Sequence, residues 1–337
     1  MKIIDMHCDT ILGLLEKEQK YQDVSLYAND LCVDIQKLKA GDYLIQNFAL
    51  FTDQKTLEIP EHQTMKLMDM YYRMLEENQE YIAPVLRYDD IERNAKDGKL
   101  SAMLTLEDGG VVFGDLAMLR NYYRLGVRMI ALTWNYENGI GFPNLSINDM
   151  GTDYKQANFF QRVDTVNGLT DFGIDYIREM EHLGMIIDVS HLNDAGFYDV
   201  LDYTTKPFVA SHSNARSICP VARNMSDDMI LELAKRGGVM GINFCGDFLA
   251  LHDQENGPSR ISDMIEQIKY IKKLAGIDVI GLGTDFDGIN SELEIKDASQ
   301  MSKLAQALKE EGFSEEEIEK IFYKNVLRVY KEVLKLI

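Results

Sequence analysis

The sequence MIIDVSHLNDAGFYDVLDYTTKPFVASH at residues 185–212 contains the pattern from which the architecture of the chain follows. Two short apolar runs, MIIDVSH and PFVASH, flank a more polar segment, and each run ends on a histidine. Short apolar runs of this kind are typical of buried strands in a parallel sheet. An imidazole at the end of such a strand is well placed to bind a metal ion. The stretch therefore predicts strands that carry metal ligands.

The same pattern recurs along the whole chain. Amphipathic segments that predict helices alternate with the apolar runs, and these helices cover Glu61–Glu80, Leu116–Leu125, Thr170–Leu183 and Ser226–Lys235. Eight apolar runs predict strands: Lys2–His7, Tyr43–Phe51, Ser101–Glu107, Val127–Trp134, Met185–His191, Pro207–His212, Gly238–Phe244 and Val279–Asp285. We predict an α/β fold, a (β/α)₈ TIM barrel. The alternative is an open doubly wound sheet, although no G-x-G-x-x-G follows the first strand.

The organisation of the chain favours one domain over residues 1–337. No Ser/Gly-rich linker interrupts the alternation. A capping box of Ser314 and Glu317 predicts a last helix at about 314–335, which would close the barrel. The longest connection between a strand and a helix, roughly 135–170, is predicted to be a substrate loop or lid.

Charge and composition exclude several classes of function. The chain has 35 basic and 55 acidic residues and a net charge of −20, which would repel a nucleic acid. It has neither a signal-peptide pattern nor a run of about 18 apolar residues, so we expect no membrane partner. Four scattered cysteines suit reduced thiols. We expect a cytoplasmic protein.

Six metal-type side chains lie at the predicted strand ends. They are His7, Asp9, Glu107, His191, His212 and Asp285. In a barrel these ends share one face, so the side chains would converge there. Each also has an ordinary interpretation: a buried imidazole bonded to the backbone, a loop carboxylate, or an acidic turn. Their joint occurrence favours a metal-dependent hydrolase.

In order along the chain, these motifs resemble those of the zinc-dependent membrane (renal-type) dipeptidases, which are amidohydrolase-like metallopeptidases. The resemblance covers nearly the whole chain. It consists of H-x-D at His7, E-x-G-G at Glu107, IDVSH ending at His191, SHS-x-A-R around His212, RN at Arg223, and G-x-DFDG around Asp285.

The resemblance implies two Zn²⁺ ions per chain. Glu107 would bridge them, with His7 and Asp9 on one ion and His191 and His212 on the other. A hydroxide that bridges the metals would attack the peptide carbonyl, and Asp285 would act as the base. Arg223 would bind the substrate carboxylate, a role that suits its planar guanidinium. A homodimer is a further expectation.

Two positions depart from the family pattern. Trp134 stands where well-known members carry a histidine that helps bind the substrate, and Cys245 stands where an aromatic residue is frequent. We expect Trp134, Asn135 and Cys245 to bind the substrate.

We therefore predict a zinc-dependent dipeptidase that cleaves small free dipeptides, including some with a C-terminal D-residue. One alternative is another amidohydrolase-type enzyme that opens a cyclic amide or lactam. The other is a catalytically weak binding protein that keeps the metal.

Overall fold

Parallel strands form the centre of the fold. The computed structural model describes residues 1–20, 23–144, 162–252 and 256–334. The described residues form nine strands: β1 (Ile3–Asp5), β2 (Tyr43–Phe51), β3 (Ile82–Pro84), β4 (Leu100–Glu107), β5 (Val127–Ala131), β6 (Ile186–Asp188), β7 (Val209–Ala210), β8 (Val239–Ile242) and β9 (Ile280–Leu282).

Eight of these strands close into a ring. The order is β2-β1-β9-β8-β7-β6-β5-β4, and pairing of β2 with β4 joins the two ends. Every pair of neighbours is parallel. The predicted TIM barrel is thus confirmed. The short strand β3 lies outside the ring, where it pairs with the first residues of β4.

Helices follow the strands. In the described part of the chain they are α1 (Thr10–Gln19), α2 (Ile35–Ala40), α3 (Pro60–Glu77), α4 (Tyr88–Lys96), α5 (Leu116–Arg124), α6 (Asp171–Leu183), α7 (Asp194–Tyr203), α8 (Asp227–Lys235), α9 (Gly246–Leu249), α10 (Ile261–Ala275), α11 (Ser302–Glu310), α12 (Glu315–Glu319) and α13 (Asn325–Val333). A π-helical turn, Lys320–Lys324, joins α12 to α13. Short 3₁₀ turns cover Gly109–Val112, Ile277–Val279 and Ala298–Gln300.

Side-chain caps explain where several helices begin. The hydroxyl groups of Thr170 and Ser226 accept hydrogen bonds from backbone N–H groups in the first turns of α6 and α8. Ser314 and Glu317 form the predicted capping box at α12. None of the helices in the described ranges is both long and apolar enough to cross a membrane.

The last helix packs on the amino ends of the strands. Val326, Val329 and Tyr330 of α13 belong to one buried apolar cluster with residues from the starts of the strands, such as Ile4. The hydroxyl of Tyr330 accepts a hydrogen bond of 2.7 Å from Asn47 Nδ2 inside the barrel. This end of the barrel is filled, which leaves the opposite, carboxyl end for chemistry.

Several strands are shorter than predicted. The predicted strands ran to Trp134, His191 and Asp285, but β5, β6 and β9 end three residues earlier. His191 has φ of 69° and Asp285 has φ of 61°, a left-handed conformation that a strand cannot contain. Their side chains therefore leave the ladder and bend over the mouth. Of the predicted substrate loop at 135–170, residues 145–161 lie outside the described residues.

Candidate metal centre

The six predicted metal-type side chains meet at the carboxyl end of the barrel. Each is between 1 % and 9 % exposed. The ends of five strands supply them: His7 and Asp9 follow β1, Glu107 ends β4, and His191, His212 and Asp285 follow β6, β7 and β9. Two groups among the described residues have ligand atoms within 4.8 Å of one another, and these are His7 with Glu107 and His212, and His7 with Asp9 and Asp285.

Glu107 lies between the histidines. Its Oε2 is 3.3 Å from His7 Nε2, whereas its Oε1 is 2.9 Å from His191 Nε2 and 3.6 Å from His212 Nε2. The two oxygens of one carboxylate thus face different sets of ligand atoms. This is the arrangement that a carboxylate bridging two cations requires.

The first set of atoms surrounds His7. Its Nε2 is 3.3 Å from Asp9 Oδ2 and 3.8 Å from Asp285 Oδ1. This buried nitrogen makes no well-directed hydrogen bond to any described residue. A buried nitrogen surrounded by carboxylate oxygens without a hydrogen bond is an orphaned polar atom, which a cation would satisfy.

The second set contains His191 and His212, whose Nε2 atoms are only 3.0 Å apart. Asn135 Oδ1 lies 2.8 Å from His191 Nδ1, so this nitrogen carries the proton. Ser211 Oγ donates to Asp188 and accepts from His212 Nδ1 at 2.7 Å. Because both Nδ1 atoms carry the proton and donate, each Nε2 keeps a lone pair. Two lone pairs this close, facing a carboxylate oxygen, repel one another unless a cation lies between them.

Burial and charge set the pKa values in the cluster. Burial lowers the pKa of His191 to about 4, and burial together with the charge of His7 lowers that of His212 well below its usual range. Burial raises the pKa of Asp9 to about 7. Burial would also raise the pKa of Glu107, but the charge of His7 and contacts with His191 bring it well below its usual range. The neutral imidazoles of His191 and His212 beside the ionised carboxylate of Glu107 are ligands that Zn²⁺ prefers.

Burial raises the pKa of Asp285 as well, partly offset by the charge of His7. The amide of Asn243 donates to Asp285 Oδ2 at 2.9 Å, which leaves Oδ1 facing the cluster. Gly288 allows this loop to pass close to the site, because a Cβ there would lie 2.2 Å from Asp9 Oδ2 and 2.8 Å from Asp285 Oδ1. Asp287 serves the loop, since it accepts from Thr10 Oγ1 and Cys32 N.

Arg223 is buried beside the cluster. Its Nη1 donates to Ser213 Oγ at 2.9 Å and its Nη2 to the carbonyl of His212 at 2.8 Å. Its Nε is buried and has no hydrogen-bond partner among the residues described. The charges of Asp285 and Glu107 act on its pKa, which burial lowers. Arg223 thus carries a positive charge and, at Nε, an N–H donor that no described residue accepts from.

The three remaining predicted residues lie around the same mouth. The ring of Trp134 is 6.4 Å from that of His191. Asn135 was predicted to bind the substrate, and the structure brings its amide oxygen to His191 Nδ1. Cys245 follows β8, and burial raises its pKa to about 12, helped by the charge of Asp285.

Sequence reasoning missed the residues that orient the ligands. Ser211, Asp188 and Asn243 hold His212 and Asp285 through their side chains. Ser211 and Asp188 were visible as polar residues within apolar runs, which is a signal that a buried polar partner exists. The identity of that partner follows only from the fold.

A family model described as membrane dipeptidase, peptidase family M19, matches residues 1–336. The chain belongs to this family. This match confirms two predictions: the family, which the motifs indicated, and the enzyme class, a metallo-dipeptidase. An uncharacterized dipeptidase of Schizosaccharomyces pombe is 31% identical over 98% of this chain and 80% of its own length.

Solved structures of metallopeptidases have the same fold. A structure described as dipeptidase AC, a metallopeptidase of family M19, gives a TM-score of 0.88 at 22% identity and covers 99% of both chains. A metallopeptidase from Rhodobacter sphaeroides, bound to a phosphinate mimic of the dipeptide L-Ala-D-Ala, gives 0.87 at 21% identity over 99% of both chains.

Proposed function

We propose that this M19 dipeptidase hydrolyses small free dipeptides at a centre of two Zn²⁺ ions. The observation that carries the proposal is the position of Glu107, whose two oxygens face separate sets of buried ligand atoms. His7 and Asp9 would hold one ion and His191 and His212 the other, with Glu107 shared. Each ion then has three protein ligands, as catalytic rather than structural zinc does.

Bound metal would supply Lewis acidity, polarising the peptide carbonyl and lowering the pKa of water. The protein would orient the metal-binding side chains before the metal binds. Asn135 and Ser211 hold the protons of the two imidazoles on Nδ1, so that each Nε2 is ready to bind. The burial of the centre also strengthens every charge interaction within it.

Asp285 would act as the general base and acid. Asn243 engages its Oδ2, so Oδ1 is the atom available to accept a proton from the attacking water and return it to the leaving amine. Burial raises the pKa of this carboxyl, which brings it nearer to the value that suits both steps.

Arg223 would bind the substrate's carboxylate. It is buried beside the centre, and its Nε has no partner in the described ranges. A guanidinium donor with no partner is suited to a carboxylate. The mimic bound to the Rhodobacter sphaeroides protein resembles L-Ala-D-Ala, so we include dipeptides with a C-terminal D-residue among the substrates.

A panel of L-L and L-D dipeptides, incubated with zinc-reconstituted protein, tests the proposal. We expect hydrolysis that a chelator abolishes and that returns with zinc. Asp285→Asn should lower its kcat by about 10²-fold to 10⁴-fold while two zinc ions stay bound. A lactam panel is the control for reaction class. Cleavage of lactams without cleavage of dipeptides would overturn the proposal, and so would binding of dipeptides without turnover.

Three finer points belong to the same proposal. A cytoplasmic location suits the four cysteines, which form no disulfide in the part of the chain that the structure covers. We also retain the homodimer and the single domain over 1–337 as predictions. Gel filtration and limited proteolysis would test the last two.

A further inference from the structure

We propose that Phe51 and Trp134 form an aromatic wall that selects dipeptides with a large apolar N-terminal residue. The inference rests on the proposed dipeptidase function and names its substrate class. The term aromatic wall denotes the rings of Phe51 and Trp134.

The wall faces the metal centre. Phe51 is the last residue of β2 and lies in register with Glu107 of β4. Residues in register on neighbouring strands point to the same side of the sheet, so Phe51 points toward the mouth as Glu107 does. The ring of Trp134 lies 4.7 Å from that of Phe51 and 6.4 Å from that of His191. Both rings of the wall are only partly buried, which leaves surface for a substrate.

Buried polar contacts fix the wall in place. Tyr136 packs edge-on against Trp134 at 5.6 Å. Its hydroxyl accepts from Gln54 N at 2.9 Å and donates to the carbonyl of Thr52 at 3.2 Å. The backbone N–H of Trp134 donates to Asp108 Oδ2 at 3.2 Å. Little side-chain freedom would therefore be lost when a substrate binds.

The order of strands assigns the wall to one end of the substrate. Arg223 contacts the residues that follow β7, and β7 lies diametrically opposite β2 in the ring. A dipeptide whose carboxylate is bound by Arg223 would span the metal centre and extend its amino end toward Phe51. The side chain of its N-terminal residue would then contact the wall.

The chemistry of the wall favours apolar side chains. Two aromatic faces bury apolar surface and offer ring stacking to a phenylalanine or leucine side chain. A glycine at the same position would leave the rings in contact with water. A hydrophobic pocket discriminates by about 10-fold to 200-fold in kcat/KM between side chains that differ by one methylene group.

Two dipeptide series test the inference, X-Ala and Ala-X, with X as Gly, Ala, Leu or Phe. We expect kcat/KM for Phe-Ala to exceed that for Gly-Ala by about tenfold or more. Phe51→Ala and Trp134→Ala should flatten the X-Ala series and leave the ratios within Ala-X unchanged. Phe51→Leu and Trp134→Phe keep an apolar side chain, so they should retain part of the preference even if the alanine variants fold poorly.

The matched control is Tyr203→Ala. Tyr203 is 42 % exposed at the end of α7, where its ring contacts the guanidinium of Arg178 in α6. This variant should leave both series unchanged. A change of selectivity in Ala-X rather than X-Ala, or a wild-type protein that cleaves X-Ala peptides without preference, would overturn the wall while the dipeptidase function stands.

A binding readout separates the two proposals. Trp134 is the only tryptophan of the chain, so its fluorescence reports contact at the wall. In the Asp285→Asn protein, Phe-Ala should change this fluorescence at concentrations about tenfold lower than Gly-Ala does. Equal responses would overturn the wall. If the wild-type protein cleaves no dipeptide at all, the proposed dipeptidase function is refuted. The fluorescence titration alone then tests whether the aromatic wall binds apolar side chains.

Discussion

Replacing Asn135 tests whether this residue orients His191 or binds the substrate. Asn135 is 7 % exposed and its Oδ1 lies 2.8 Å from His191 Nδ1. Asn135→Leu keeps the size of the side chain and removes the acceptor, so the ring becomes free to carry its proton on Nε2, the form that cannot bind metal. The hydrogen bond alone contributes about 1 kcal/mol. Residues that orient metal ligands contribute about 10-fold to 100-fold in metal affinity.

We therefore expect Asn135→Leu to weaken zinc binding about 10-fold to 100-fold, which corresponds to about 1.4–2.8 kcal/mol. Competition against a chromogenic zinc chelator measures this directly. Asn135→Asp keeps an acceptor at Nδ1 and should bind zinc at least as tightly as wild type. The reasoning is refuted if Asn135→Leu binds zinc normally and instead raises KM for dipeptides, because Asn135 would then contact the substrate.

Three further predictions follow from the same geometry. Asp285→Asn should lower kcat by about 10²-fold to 10⁴-fold without loss of zinc, as steady-state kinetics with metal analysis would measure. Gly288→Ala should displace the carboxylates of Asp9 and Asp285, so metal content should fall while the circular dichroism spectrum stays native; normal zinc content would contradict this. Burial raises the pKa of the partly exposed Cys32 to about 12, so this thiol stays protonated at pH 8. Its alkylation in the folded protein should rise about tenfold per pH unit above pH 8; rapid labelling at pH 8 would refute this.

The alternation of apolar and amphipathic segments was enough to predict the barrel. The capping box of Ser314 and Glu317 was also predicted, because capping depends on residues a few positions apart. The short outer strand at Ile82–Pro84 was not readable, since three residues ending in proline carry no clear pattern. Nor was the π-helical turn at Lys320–Lys324, because its apolar residues Ile321 and Phe322 are buried like those of an α-helix.

The candidate site also has some features that the sequence predicted and others that it did not. The six metal-type side chains were predicted because each stands at a strand end, and parallel strands bring their ends together. Two of the hydrogen bonds that orient them join residues far apart in the chain: Asn135 lies 56 positions from His191, and Asn243 lies 42 from Asp285. The left-handed conformations of His191 and Asp285 were equally hidden, because neither residue type requires them.

The central claim is that two metal ions, shared through Glu107, are needed for dipeptide hydrolysis. The most direct test is to strip the protein of metal and follow hydrolysis of a dipeptide while zinc is added in measured equivalents per chain. The account predicts that activity rises until about two equivalents are bound and then stays constant. Full activity at one equivalent, or no hydrolysis at any zinc content, would contradict it.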